Sequence, residues 1–198
     1  MFRALHALDD RLLLAVNHAR GPALDAVMTF ASNRLVWFPF YAVLIGWLIW
    51  HFRRRAAVLL PLVVAAVALA DSITSRLFKP FFGRLRPCHN PALEARLYLP
   101  DGCGGQFGFL SSHAANAFAL AVFLLLTLPA GRYRALKTGV FLWAGWLSYS
   151  RIYLGAHFPT DVLGGALIGA GLGWGAATIF RRLTAPTGRW GTLGREVA

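Results

Sequence analysis

The chain has 198 residues, 57% of them hydrophobic and only 14% charged, which excludes an ordinary soluble domain and points to a membrane protein. Its formal net charge of +12 would suggest nucleic acid in a soluble protein. In so apolar a chain it reads as membrane topology instead, and no nucleic-acid partner is expected.

The amino-terminal stretch is more polar than the runs that follow it. Asp9, Asp10, Arg11, Arg20 and Asp25 interrupt it and Gly21-Pro22 divides it, so the pattern predicts two amphipathic helices lying in the interface, near Phe2 to Asn17 and Ala23 to Asn33. A signal peptide competes with this reading, but Asp9-Asp10 falls in its apolar core and no convincing cleavage site follows. Insertion of Leu12 to Phe30 would add a span.

Five apolar runs follow, uncharged except for Lys137 at the start of the fourth: Leu35 to Trp50, Ala56 to Ala70, Ala114 to Ala130, Leu136 to Tyr149, and Val162 to Phe180. A crossing of about 30 Å takes roughly 20 helical residues, so each run must recruit flanking residues. The fold expected is an all-α, polytopic transmembrane bundle of about five spans. Its parts would be interfacial helices over residues 1–34, a catalytic bundle over 35–183 and a flexible cytoplasmic tail over 184–198. Arg53-Arg54-Arg55, then Arg132, Arg134 and Lys137, then Arg181, Arg182, Arg189 and Arg195 fall on one side by alternation, which makes that side cytoplasmic. The loop from Lys79 to Ser111 and the Ala156 to Asp161 turn then face outward. Cys88 and Cys103 both lie in this loop, where a disulfide is permitted; two unpaired thiols are the alternative.

Three polar clusters sit at span ends on this outward face. Lys79, Arg84 and Arg86-Pro87 follow the second span, Ser111-Ser112-His113 opens the third, and Ser150-Arg151, His157 and Asp161 join the fourth to the fifth. Singly they have plain explanations: Arg84 and Arg96 as headgroup anchors, Ser111 as a helix cap, a histidine as an interfacial residue. Together they describe a phosphate site. Lys79, Arg86 and Arg151 supply charge-assisted donors, and the helix opened by Ser111 and Ser112 favours an anion. Asp161, four residues after His157, can orient that imidazole for attack on phosphorus, and His113 can protonate the leaving oxygen. Asp71, an acid near the outer end of the second span, needs a partner; Arg76 or the site arginines are candidates, and it reads as support rather than catalyst.

Lys79-(six residues)-Arg86-Pro87, Ser111-x-His113 and Ser150-Arg151-(five residues)-His157-(three residues)-Asp161 resemble the three-part signature of the type 2 phosphatidic acid phosphatase (PAP2) superfamily. The resemblance implies a lipid phosphatase in which His157 is the nucleophile, Asp161 orients it, His113 is the general acid, and Lys79, Arg86, Ser111, Ser112 and Arg151 bind phosphate without a cofactor. One position departs: Ser112 stands where the family usually has glycine, which should leave the site intact but tighter. Undecaprenyl diphosphate is the substrate the resemblance puts first. Phosphatidylglycerophosphate, phosphatidic acid and lipid A 1-phosphate are the alternatives, and the location implied is a bacterial inner membrane with the site on the periplasmic face. A metal enzyme using His113, His157 and Asp161 is disfavoured by the surrounding cations, and an anion transporter by the superfluous His157–Asp161 pair. Gly165, Gly169 and Gly173 recur every four residues, a pattern for close packing inside the bundle, with a homodimer seam as the rival.

Overall fold

The computed structural model describes residues 2–185, and among them there is no β-strand, only helices and an isolated bridge between Leu85 and Phe107. The end of the tail expected from Thr184 onward lies outside the described residues. Helices α1 (Phe2–His18) and α2 (Pro22–Ser32) meet at Gly21, with Pro22 opening α2 where its missing N–H costs nothing. Helix α3 (Phe38–Phe52) and helix α4 (Ala56–Ser72) belong to one helical run that reaches Phe82, turned at Arg53, whose φ of 49° breaks the α-helical path. A six-residue π-helical segment, Ile73–Phe78, continues α4 into the short α5 (Lys79–Phe82), which Gly83 ends in a left-handed conformation. After the long loop come α6 (Ser112–Thr127), α7 (Arg134–Tyr153) and α8 (Pro159–Thr184).

By length and hydropathy, residues 34–82 and Pro159–Thr184 pass as membrane-crossing helical runs, while α6 is a shorter apolar helix. The α8–α6 seam explains the glycine repeat. A Cβ on Gly165 would strike the Ser111 carbonyl, on Gly169 that of Ala115, and on Gly173 that of Ala119. The repeat therefore packs inside the bundle, letting two backbones touch. Around this pair, Leu44, Leu48, Leu59, Val63, Phe123, Leu124, Trp143, Leu147 and Phe180 make one core shared by α3, α4, α6, α7 and α8.

The basic turn at Arg53 lies beside the end of α8, since the Phe52 and Phe180 rings are 5.8 Å apart. Helices α1 and α2 cover the opposite end. Leu13 and Leu14 pack on Leu93 of the long loop and on Phe158, and Met28 packs on Tyr153 and Leu154. Asn17 clasps the loop to α7, donating to the Tyr98 and Tyr153 carbonyls at 2.7 Å each and accepting from the Tyr98 N–H at 2.9 Å. Leu5, Leu8 and Leu12 stay about half exposed on the other flank of α1.

Candidate active site

The π-helical segment is the first positioning device. By widening the helix before Lys79 it brings Thr74, Ser75 and Lys79 around a single atom, the Ser112 hydroxyl oxygen. Thr74 donates to it at 2.8 Å and Lys79 at 3.1 Å, and the Ser75 hydroxyl lies 3.0 Å away. Ser112, the departure from the family pattern, thus holds the Lys79 ammonium against the start of α6. Ser111 caps that helix, its oxygen 3.5 Å from the Ala114 N–H, and its own N–H donates to the Asp161 carbonyl at 2.9 Å.

The long loop positions Arg86. Its two sides pair through Arg86 N–H to Gln106 carbonyl (2.9 Å) and Gly108 N–H to Arg84 carbonyl (2.8 Å), and Cys88 and Cys103 are joined by a disulfide. Arg86 donates from Nε to the Phe107 carbonyl at 3.3 Å. Gly104 and Gly108 leave the space its side chain fills; a Cβ on Gly108 would sit 3.0 Å from Asp161 Oδ2 and 3.2 Å from Arg86 Cγ.

His157 comes from the turn between α7 and α8. Gly155, at φ 67°, reverses the chain with no room for a side chain, and the N–H groups of Ala156 and His157 close on the Arg151 carbonyl. Helix α8 begins two residues later at Pro159, and Asp161 turns back to accept from the Phe158 N–H at 3.0 Å. Its Oδ2 lies 3.5 Å from His157 Nδ1, which places an orienting carboxylate beside the ring at slightly more than hydrogen-bonding length. His157 is 1% exposed. Burial, reinforced by Arg86, Arg151 and Lys79, pulls its pKa well below the ordinary imidazole value, so the ring is neutral and its lone pair available.

Lys79, Arg86, Ser112, His113 and His157 line one cavity of about 490 Å³. Ser111, Asp161 and Arg151 stand behind its wall. Arg151 donates to the Ser32 hydroxyl at the end of α2, and its charge reaches Lys79 and His157. Asp71, expected as a support, lines the wall too; Ser75, Asn116, Arg34, Trp37, Phe38, Tyr41, Val67 and Trp143, which also line it, were not anticipated from sequence. Asp71 accepts from Asn116 Nδ2 at 3.3 Å, and among the described residues no ion pair joins it to Arg76.

Arg84 is neither a phosphate ligand nor a headgroup anchor. Its Nη1 donates to Asp161 Oδ1 and Thr160 Oγ1, each at 2.7 Å, its Nη2 to Asp9 Oδ2 at 2.6 Å, and its guanidinium lies over the Phe158 ring. Asp9 also accepts from the Thr160 N–H at 3.0 Å and its hydroxyl at 2.5 Å. A carboxylate on α1 thereby caps α8 and fixes the arginine that fixes Asp161. The sequence carried a signal for it: Asp9, Leu13 and Asn17 are spaced four apart and all are buried.

Among the described residues, the His/Cys/Asp/Glu cluster compact enough for a metal is Cys88, His89 and Cys103, whose sulfurs are already bonded to each other.

The chain is similar to known proteins. The chain is 37% identical over 189 residues to a lipid A 4'-phosphatase of Bacteroides thetaiotaomicron, covering 93% of this chain and 82% of that one. It is 30% identical over 164 residues to an undecaprenyl-diphosphatase of Sulfolobus acidocaldarius, covering 80% and 72%. The crystal structure of Aquifex aeolicus LpxE superposes with a TM-score of 0.63 at 32% identity, covering 85% of this chain and 93% of that one. The PAP2 superfamily model matches residues 56–185, the stretch that supplies all three clusters of the site, and the chain belongs to that superfamily of phosphate-ester hydrolases.

Proposed function

We propose that the protein removes a phosphate from a membrane glycolipid of the lipid A class through a phosphohistidine formed on His157. The observation that carries this is the convergence of Lys79, Arg86, Ser112, His113 and His157 on one cavity with an aromatic and aliphatic flank. Lys79 and Arg86 hold the phosphoryl oxygens and stabilise the charge spread over them during transfer. His157 Nε2 attacks phosphorus, since Nδ1 faces Asp161. The bond to the leaving oxygen breaks, and its electron pair takes a proton from His113. A water, deprotonated by His113, then attacks phosphorus and releases inorganic phosphate and the free imidazole. Asp161 balances the charge on the ring throughout.

The identity to a lipid A 4'-phosphatase supports a phosphorylated glycolipid. The match to an undecaprenyl-diphosphatase supports a second reading, in which the leaving group is itself a phosphate. In either case we place five crossings in a bacterial inner membrane with the site outward, because the three basic turns would share the opposite side. The lipid then reaches the cavity from the headgroup level. Phosphate release from a phosphorylated glucosamine disaccharide lipid, undecaprenyl diphosphate, phosphatidylglycerophosphate and phosphatidic acid tests the proposal. Glycolipid turnover that survives chelator and vanishes in His157→Ala is expected. Full activity of a correctly inserted His157→Ala protein would overturn the covalent mechanism, and preference for the diphosphate would establish the second reading.

A further inference from the structure

The cavity is larger than a phosphoryl group needs, and the part beyond His113 has its own chemistry. Asn116 follows His113 by about one helical turn on α6 and lines the same cavity. The same wall offers the Asp71 carboxylate, the Asn116 amide and the Ser75 hydroxyl, and also the Trp143 indole, with Trp37 and Tyr41 beside it. Two buried polar atoms in this wall have no partner: the carbonyl oxygen of Asn116, an acceptor, and Nε1 of Trp143, a donor on a side chain only 8% exposed. Buried polar groups without partners are costly and uncommon in native structures. Both residues line the cavity, and an acceptor and a donor without protein partners in one wall suit a group that carries both.

We infer that Asp71, Ser75, Asn116 and Trp143 form a leaving-group subsite that reads hydroxyl or amide groups on a carbohydrate. A sugar hydroxyl donates to Asp71 or the Asn116 carbonyl and accepts from the Trp143 N–H or Ser75, while the aromatic rings cover the less polar faces of the ring. Asp71 opposes a phosphate leaving group, which would lie against its carboxylate, while Arg34 in the same wall carries the opposite charge. Lys79 and Arg86 do not remove that penalty, being engaged by the phosphoryl group under transfer. The inference deepens the glycolipid reading above and rests on the same cavity. It gives Asp71 a role other than a general counter-charge to the nearby Lys79.

The test compares selectivity rather than rate. The kcat/KM ratio of a phosphorylated glucosamine disaccharide lipid to phosphatidic acid is measured in nanodiscs for wild type, Asp71→Asn, Asn116→Leu and Trp143→Phe. The ratio is expected to fall at least about tenfold in the first two variants and severalfold in Trp143→Phe, which keeps the ring and loses the N–H. A site built to bond a hydroxyl discriminates by this much or more. The ratio of undecaprenyl diphosphate to phosphatidic acid is expected to rise in Asp71→Asn. An unchanged ratio in all three variants, with both rates falling together, overturns the subsite and leaves Asp71 a support for Lys79. A parallel measurement uses no turnover: binding of the dephosphorylated disaccharide lipid to His157→Ala protein, followed by tryptophan fluorescence, with and without Asn116→Leu. A tenfold weakening supports the subsite even if wild type hydrolyses no lipid phosphate, a result that would sink the phosphatase reading alone. Equal binding in the two proteins overturns the subsite.

Discussion

Asp9 lies far upstream of the matched family region, yet its replacement by alanine should cripple the enzyme. The carboxylate is 2% exposed and takes three hydrogen bonds, from the Thr160 N–H, the Thr160 hydroxyl and Arg84. Hydrogen bonds to a charged acceptor are worth about 1.5–3 kcal/mol each when buried. Arg84 is 19% exposed, so its share is discounted for solvent screening. A loss of about 3–4 kcal/mol in stability is expected for Asp9→Ala on these values. The catalytic effect comes through Arg84, which loses the carboxylate opposing Asp161 and draws Asp161 out of register with His157. Displacements near 1 Å at a reacting group cost about a hundredfold. A kcat decrease between about tenfold and a hundredfold is expected, with KM changed much less, because neither Lys79 nor Arg86 bonds to Asp9. The assay is phosphate release in detergent alongside thermal unfolding. Asp9→Asn keeps the cap on Thr160 and removes the charge, so it should retain most of the stability and still lose kcat. An Asp9/Arg84 double-mutant cycle should show coupling well above about 0.5 kcal/mol, the scatter expected for independent sites. Wild-type kcat in a well-folded Asp9→Ala or Asp9→Asn protein would refute the chain of contacts from α1 to the nucleophile.

The same geometry sets further expectations. With p-nitrophenyl phosphate, whose leaving oxygen needs no proton, His113→Ala should lose far less activity than with a lipid phosphate, whereas His157→Ala should lose both; equal losses would remove His113 from the acid role. Because burial keeps His157 neutral to a lower pH than an ordinary imidazole of about 6.5, lowering pH through about 6 should not by itself titrate the nucleophile away. A kcat/KM limb at about 6.5 that moves on replacing Arg86 or Arg151 would instead assign that titration to His157 in an open site. Ser112→Ala frees Lys79 from its acceptor and should raise KM severalfold with a smaller change in kcat, seen in initial-rate kinetics across lipid concentration. Reducing Cys88–Cys103 opens a loop closed across 15 residues, for which chain entropy gives about 3 kcal/mol, and should raise KM because Arg86 sits two residues from the bridge. In intact cells an impermeant thiol reagent should label these cysteines after reduction, and labelling only after lysis would reverse the proposed orientation.

What the sequence disclosed and what it withheld divide along a physical line. Apolar runs, Gly21-Pro22 and the serines before α6 act through neighbours in the chain, so the helices and their ends were readable without any tertiary information. The three clusters that carry the family pattern were readable too, because each keeps its spacing within a single helix end or turn. Contacts between elements were not. Arg84 shares a segment with Lys79 and Arg86 and has the same chemistry, so nothing local separates a guanidinium that faces the cavity from one that faces Asp9, 75 residues earlier. Asn116 and Trp143 were absorbed into apolar helices as core, since one polar atom scarcely alters a hydropathy pattern. Their meaning appears only when the cavity is seen to leave those atoms unpartnered. On the proposed mechanism, catalysis depends on residues that local spacing marks. On the same proposal, selectivity and positioning fall to Asp9, Asp71, Asn116 and Trp143, residues that acquire a function only through what the bundle brings against them.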